Sequence, residues 1–240
     1  MMKLTPQIKR QITRDWSIQL PGLGIYAPMQ LLRRCGPLLI GVCLDRDSGN
    51  DGYRPTFHVH SLTKEHRGIS LTMCRRLLTL RTGAEDRISV IGHVQRHVEA
   101  AQRMTQQVLL PLSGPVTLQM VVDAYQAYLQ SPSGRWSVHH LEDIITLLVA
   151  CGRPNEAKHF LRETATAMAS WPAFVVARME PINSWAEKMQ RLIDRPDLVH
   201  QTVSEQAARL KVDKLPTTSL DNWVTETEKG QSRRSKNSLN

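Results

Sequence analysis

Aromatic side chains are scarce in this sequence: three Phe, four Tyr and five Trp among 240 residues. That is thin material for a surface that stacks bases, which single-strand nucleic-acid binders usually combine with positive charge. Long apolar runs are missing too. The longest, residues 38–44, is far short of the roughly 20 residues that cross a bilayer, so no membrane association is expected. The first 14 residues scatter Lys3, Lys9, Arg10 and Arg14 among apolar positions and hold no leader-like apolar block. Cys35, Cys43, Cys74 and Cys151 are irregularly spaced and contain no C-x-x-C pair, so neither a zinc knuckle nor a redox couple is expected. They read as reduced core thiols, which places the chain in the cytoplasm or another reducing compartment. No cofactor is implied, and no G-x-S-x-G nucleophile elbow occurs.

What is present is an ordinary globular composition, 41% hydrophobic and 22% charged, which excludes collagen-like, wholly disordered and disulfide-scaffold classes. The formal charge is +9, and its placement is uneven. Residues 1–80 hold 12 basic and 5 acidic side chains, while residues 111–215 balance at 11 of each. A +7 segment could steer an acidic partner or a phosphate backbone toward it, although net charge alone also serves solubility.

Hydrophobic periodicity separates the same regions. Thr5 as N-cap, Pro6 at the first helical position and the four-residue spacing of Leu4, Ile8 and Ile12 predict a helix ending near Trp16. Four strands follow at 29–35, 38–44, 56–62 and 69–77, divided by turn chemistry at Gly36-Pro37, at 47–52 and at 64–68. In the third, Phe57 and Val59 alternate with Thr56, His58 and His60, the pattern of a sheet with one solvated face. From residue 84 the pattern turns helical: Ile88, Ile91, Val94, Val98, Ala101 and Met104 form one stripe. A helix capped by Thr117 follows, with Leu118, Val121, Val122, Tyr125, Tyr128 and Leu129 on its inner face. Another starts at Ser137, with Leu141, Ile144, Ile145 and Leu148 at core spacing. Gly152 and Pro154 then lead into a helix whose Ala157, Phe160, Leu161, Ala165 and Met168 face inward. Two more are expected at 184–193 and 197–210, and the polar stretch after Leu215 reads as a disordered tail.

The segment 137–164, with Gly152-Arg153-Pro154 at its bend, resembles one helical hairpin of the tetratricopeptide type, but no second copy recurs at a fixed period. The fold class is therefore α+β: an N-terminal helix and small antiparallel sheet, then about five to six helices including this tetratricopeptide-like hairpin. The expected divisions are a basic sheet module at 1–80, a helical region at 84–215 that could share its core, and a tail at 216–240.

Candidate chemistry fails on context. Gly22-Leu23-Gly24-Ile25-Tyr26-Ala27 matches a dinucleotide-binding pattern, yet Pro21 and Pro28 flank it and no strand-to-helix setting is evident, so a glycine-rich loop is expected. Asp45, Asp47 and Asp51 lie in the wrong register for a calcium loop and read as a polar hairpin turn. His58 and His60 share a strand face, and His93 and His97 share a helix face. The four could hold zinc only if those faces met, and solvent-facing or half-buried rings are the simpler expectation.

What stands out is arginine: Arg33, Arg34, Arg54, Arg75 and Arg76 fall on the sheet module, where the guanidinium fork suits bidentate capture of carboxylate or phosphate. These five are the expected partner-binding residues. With no catalytic signature and few nearby aromatics, the leading expectation is a non-catalytic protein-binding module, such as an immunity, antitoxin or accessory protein that occludes or assembles a protein partner. A nucleic-acid-binding protein using the basic sheet is the alternative, and a hydrolase with an unrecognised site is the third.

Overall fold

The computed structural model describes residues 2–221 and Trp223. The Thr5 side chain accepts the Ile8 N–H at 3.3 Å and Pro6 opens α1, Pro6–Gln19. The helix runs past Trp16 and stops where Leu20 precedes Pro21, because a residue before proline is disfavoured in helical geometry. The glycine-rich segment that follows is not simply a loop, because Gly24–Ala27 forms β1. Then come β2 (Gln30–Cys35), β3 (Leu38–Arg46), β4 (Gly52–Ser61) and β5 (Met73–Arg76). These pair antiparallel in the order β1-β2-β3-β4-β5, the meander expected. Gly36 turns β2 into β3 at φ +55°, which glycine adopts without strain, and a Cβ there would lie 3.0 Å from the Trp223 ring. Short strands β6 (Ile88–Ser89) and β7 (Thr217–Thr218) pair with β4 and β2.

Seven further α-helices lie among the described residues: α2 (His93–Gln107), α3 (Leu118–Leu129), α4 (Val138–Ala150), α5 (Pro154–Met168), α6 (Ala173–Val176), α7 (Ile182–Asp194) and α8 (Pro196–Leu210). The α+β class is thus as the sequence implied. None of them is long and apolar enough to cross a membrane. Thr117 caps α3 by accepting the Met120 N–H, whereas Ser137 stands at the start of α4 without a capping bond. Helix α4 is buried from His140 to Ala150 on every side and packs against α3, α5, α7 and α8. That enclosure is unlike a repeat stacked between similar pairs. The α4–α5 hairpin is present, with Gly152 at φ +72°, but a tetratricopeptide-like arrangement is not established.

The centre of the sheet is covered on both faces. Its odd positions in β4, Phe57 and Val59, join Leu31, Ile40, Val42 and Met73 in a core continuous with α1 to α5 and α7. The opposite face buries Leu32, Leu39 and Leu62 beneath Val203, Ala207 and Leu210 of α8. His58 and His60 are therefore fully buried rather than solvent-facing. The core spans residues before 80 and after 84 without a break. The region after Leu215 is ordered further than expected: β7 pairs with β2, Leu220 is buried, Asp221 Oδ1 accepts the Leu118 N–H at the start of α3, and Trp223 packs over Gly36. Residues 222 and 224–240 of the expected tail lie outside the described residues.

Candidate protein interface

Strand alternation divides the five arginines between two faces. Arg33, on the face of Ile40, is 2% exposed, and its guanidinium donates to the carbonyls of Gly114 at 2.8 Å and Pro111 at 2.7 Å. It ties the 111–114 turn to β2 and is closed to a partner. Arg34 pairs with Asp213 at 3.2 Å. Arg54 and Arg76 share Glu85, at 3.6 Å and 2.5 Å, and Asp45 lies 3.6 Å from Arg76. Arg75 is exposed and meets no carboxylate among the described residues; its side chain donates to the Gln107 carbonyl at 3.4 Å. The five do not form one basic surface, and ion pairing has already spent most of their charge.

The histidines separate as well. His93 reaches the Phe57 face through Tyr53, whereas His58 and His60 occupy the other. No group of three or more His, Cys, Asp or Glu side chains suited to a metal occurs among the described residues. His93 is buried, contrary to expectation, because it belongs to a chain whose direction chemistry fixes. The Trp16 Nε1–H can only donate, and it gives to the Tyr53 hydroxyl at 3.0 Å. That hydroxyl donates to His93 Nδ1 at 2.7 Å, so the His93 Nε2–H donates to Asp15 at 2.9 Å. With His93 turned inward, the expected stripe holds at Ile88, Ala101 and Met104, which are buried together with Ala100, and fails between them, where Ile91, Val94 and Val98 are exposed at 68%, 73% and 39%.

The acidic hairpin carries its own cation. Arg87 donates to Asp47 at 2.6 Å and to Asp51 at 2.7 Å, filling the place a metal would need. One contact has the geometry of a nucleophile and base: the Ser70 hydroxyl lies 2.7 Å from His60 Nδ1. The same nitrogen accepts the Ser70 N–H at 3.0 Å. Burial, then the neighbouring His66, His58 and Lys64, pushes His60 down to about 3, where imidazole is a poor base at neutral pH. The pair fastens the 62–72 loop over β4. Lys64 of that loop sits 2.8 Å from Asp143, which also accepts from the Tyr125 hydroxyl at 3.2 Å. Burial raises the Cys43 thiol to about 11 and the Cys151 thiol to about 12, far from thiolate reactivity at neutral pH.

The open chemistry lies in the helical half. Gly134 presses so closely on α3 that a Cβ would meet the Tyr128 carbonyl at 2.2 Å. The chain leaves this turn through Arg135 and Trp136, and Trp136 sits in the left-handed region at φ 62°, a conformation costly for a bulky side chain. The half-exposed indole divides two clefts. One, of about 650 Å³, is lined by Phe160, Trp171 and Leu141 with Asp123, Gln130 and Arg135; the other, of about 570 Å³, by Phe174, Val175 and Met179 with Arg178 and Lys188. The Arg135 guanidinium stacks 4.4 Å above the Trp136 ring, and Phe174, 60% exposed, meets its edge at 5.9 Å. Phe160 is half-buried against the core rather than enclosed in it, while Trp185 is fully buried. Sequence periodicity placed Phe160 inward but did not mark Trp136 as a binding residue, because its exposure depends on the turn that presents it. No protein-family profile, curated protein or solved structure matches the chain.

Proposed function

We propose that this is a non-catalytic protein-binding module whose helical half takes anchor side chains of a protein partner around Trp136. The observation that carries the reading is the pair of clefts meeting at one half-exposed tryptophan, with an arginine already stacked on it. Tryptophan and arginine in well-packed depressions are the residues on which interface energy concentrates, and a prepositioned ring lowers the ordering cost of association. The neutralised sheet arginines support a protein partner over nucleic acid, because phosphate binding depends on cations free to displace counterions. Occlusion or assembly of that partner, as an immunity, antitoxin or accessory protein would perform, fits a module whose described residues include no poised nucleophile. The test is affinity purification from the native host, with and without nuclease, using the natural chain and Trp136→Ala. A stoichiometric protein that survives nuclease and is lost with Trp136→Ala supports the reading. Nucleic acid as the sole co-purifying species overturns it.

A further inference from the structure

The outer rim of β5 offers a second surface, and its backbone shows what would fit. The Leu77 N–H donates to the Pro55 carbonyl at 2.8 Å, making these two a hydrogen-bonded pair. The register Phe57↔Arg75 and Val59↔Met73 continues it. In an antiparallel ladder the intervening residues direct their backbone groups the other way, so Cys74 and Arg76 point away from β4. Side chains close the same rim at both ends. His140 Nε2 donates to the Thr72 carbonyl at 2.9 Å. At the other end the Gln107 amide accepts from Leu78 N–H at 2.8 Å and donates to Leu78 O at 3.0 Å, pairing as an added peptide unit would. The Tyr128 hydroxyl approaches the Cys74 N–H. What remains is the Cys74 carbonyl with the N–H and carbonyl of Arg76, bordering an open cleft of about 430 Å³ between β5 and Tyr128, Ser131 and Ser133.

The charges on this rim select the occupant. Arg75 and Arg76 project to opposite sides of β5: Arg76 is already paired with Glu85 and Asp45, whereas Arg75 is exposed and meets no carboxylate among the described residues. Cross-strand neighbours of opposite charge stabilise strand pairing, and like charges oppose it. We propose that β5 accepts an extended acidic segment of a protein partner as an additional strand, with main-chain hydrogen bonds to Cys74 and Arg76 and an acidic side chain against Arg75. This rests on observations separate from the Trp136 clefts, although the 130–136 turn joins the two surfaces.

The probe is a fluorescein-labelled strand peptide alternating Glu with Val and Thr. Three companions carry Lys in place of Glu, or N-methyl groups along one or the other backbone edge. With the full chain, the acidic peptide should bind saturably, and the Lys version at least about ten-fold more weakly. N-methylation should abolish binding on one edge and spare it on the other. The Arg76 amide, rapidly exchanging in the free protein, should become protected in the complex. Arg75→Glu, checked for an unchanged thermal midpoint, should weaken binding at least about ten-fold. Trp136→Ala should leave it unchanged, so this site and the Trp136 interface can fail separately. No saturable binding of the acidic peptide at millimolar concentration overturns the proposal. Equal binding of both N-methylated forms also overturns it, since charge alone would then explain the affinity.

Discussion

Tyr53 holds two buried partners at once, which makes it the most informative single atom to remove. Tyr53→Phe keeps the ring but leaves the Trp16 N–H and His93 Nδ1 without the hydroxyl that joins them. Each buried polar group left unpaired costs about 1–3 kcal/mol, and urea unfolding should show a loss in that range or above. A change under about 0.5 kcal/mol would mean the chain is idle. Phe160 tests the opposite situation. A fully enclosed phenylalanine loses about 3–5 kcal/mol on truncation to alanine. Because Phe160 lines a cleft and keeps part of its surface open, Phe160→Ala should cost less than that by the same measurement. The larger share of its effect should fall on partner affinity.

Elements were legible in the sequence where the signal is local, and obscure where it depends on what lies opposite. Thr5-Pro6, Gly36-Pro37, Thr117 and Gly152-x-Pro154 fixed starts and turns because capping and φ preference act within a few residues. In α2 the expected stripe holds at Ala101 and Met104 but fails in the first turns, where His93 turns inward to the Tyr53 hydroxyl and Val94 and Val98 face out. The alternation in β4 was correct, but α8 and the 62–72 loop, both remote in sequence, cover the polar side. The arginines were visible as a group; their division between faces and their pairing with Asp213, Glu85 and Asp45 were not, because those carboxylates come from elsewhere in the chain. The same remoteness governs the C-terminal segment. Truncation after Leu215 removes β7, buried Leu220, the Asp221 cap on α3 and the Trp223 contact with Gly36. The thermal midpoint should fall by several degrees, at about 2–4 °C per kcal/mol for a chain of this size. Truncation after Trp223 retains all four contacts and is the matched control.

For the molecule as a whole, the buried histidines set a pH dependence. Burial pushes His58 down to about 4 and His60 to about 3, and it also lowers His66, His93 and His140, His93 against the opposing pull of Asp15. In the unfolded chain each titrates near about 6.5. Above that pH both states are neutral and the full stability is present. As pH falls from 6.5 toward the folded values, the unfolded chain takes up protons that the folded chain refuses. Stability then drops by up to about 1.4 kcal/mol per pH unit for each such histidine. Asp47, Asp194 and Asp197 have folded values below the ordinary 3.8, so their contribution is lost only at more acidic pH. Urea midpoints should therefore decline between pH 6.5 and pH 4.5, before the carboxylates titrate. His58 isolates the effect, because neither ring nitrogen makes a hydrogen bond, the Ser70 backbone approaching without closing one. His58→Leu removes a buried unpaired polar group, so at pH 7 it should be neutral or stabilising. Below pH 6 it should flatten the decline by about one proton's worth of slope. An unchanged slope would mean that His58 does not titrate differently in the folded and unfolded chains.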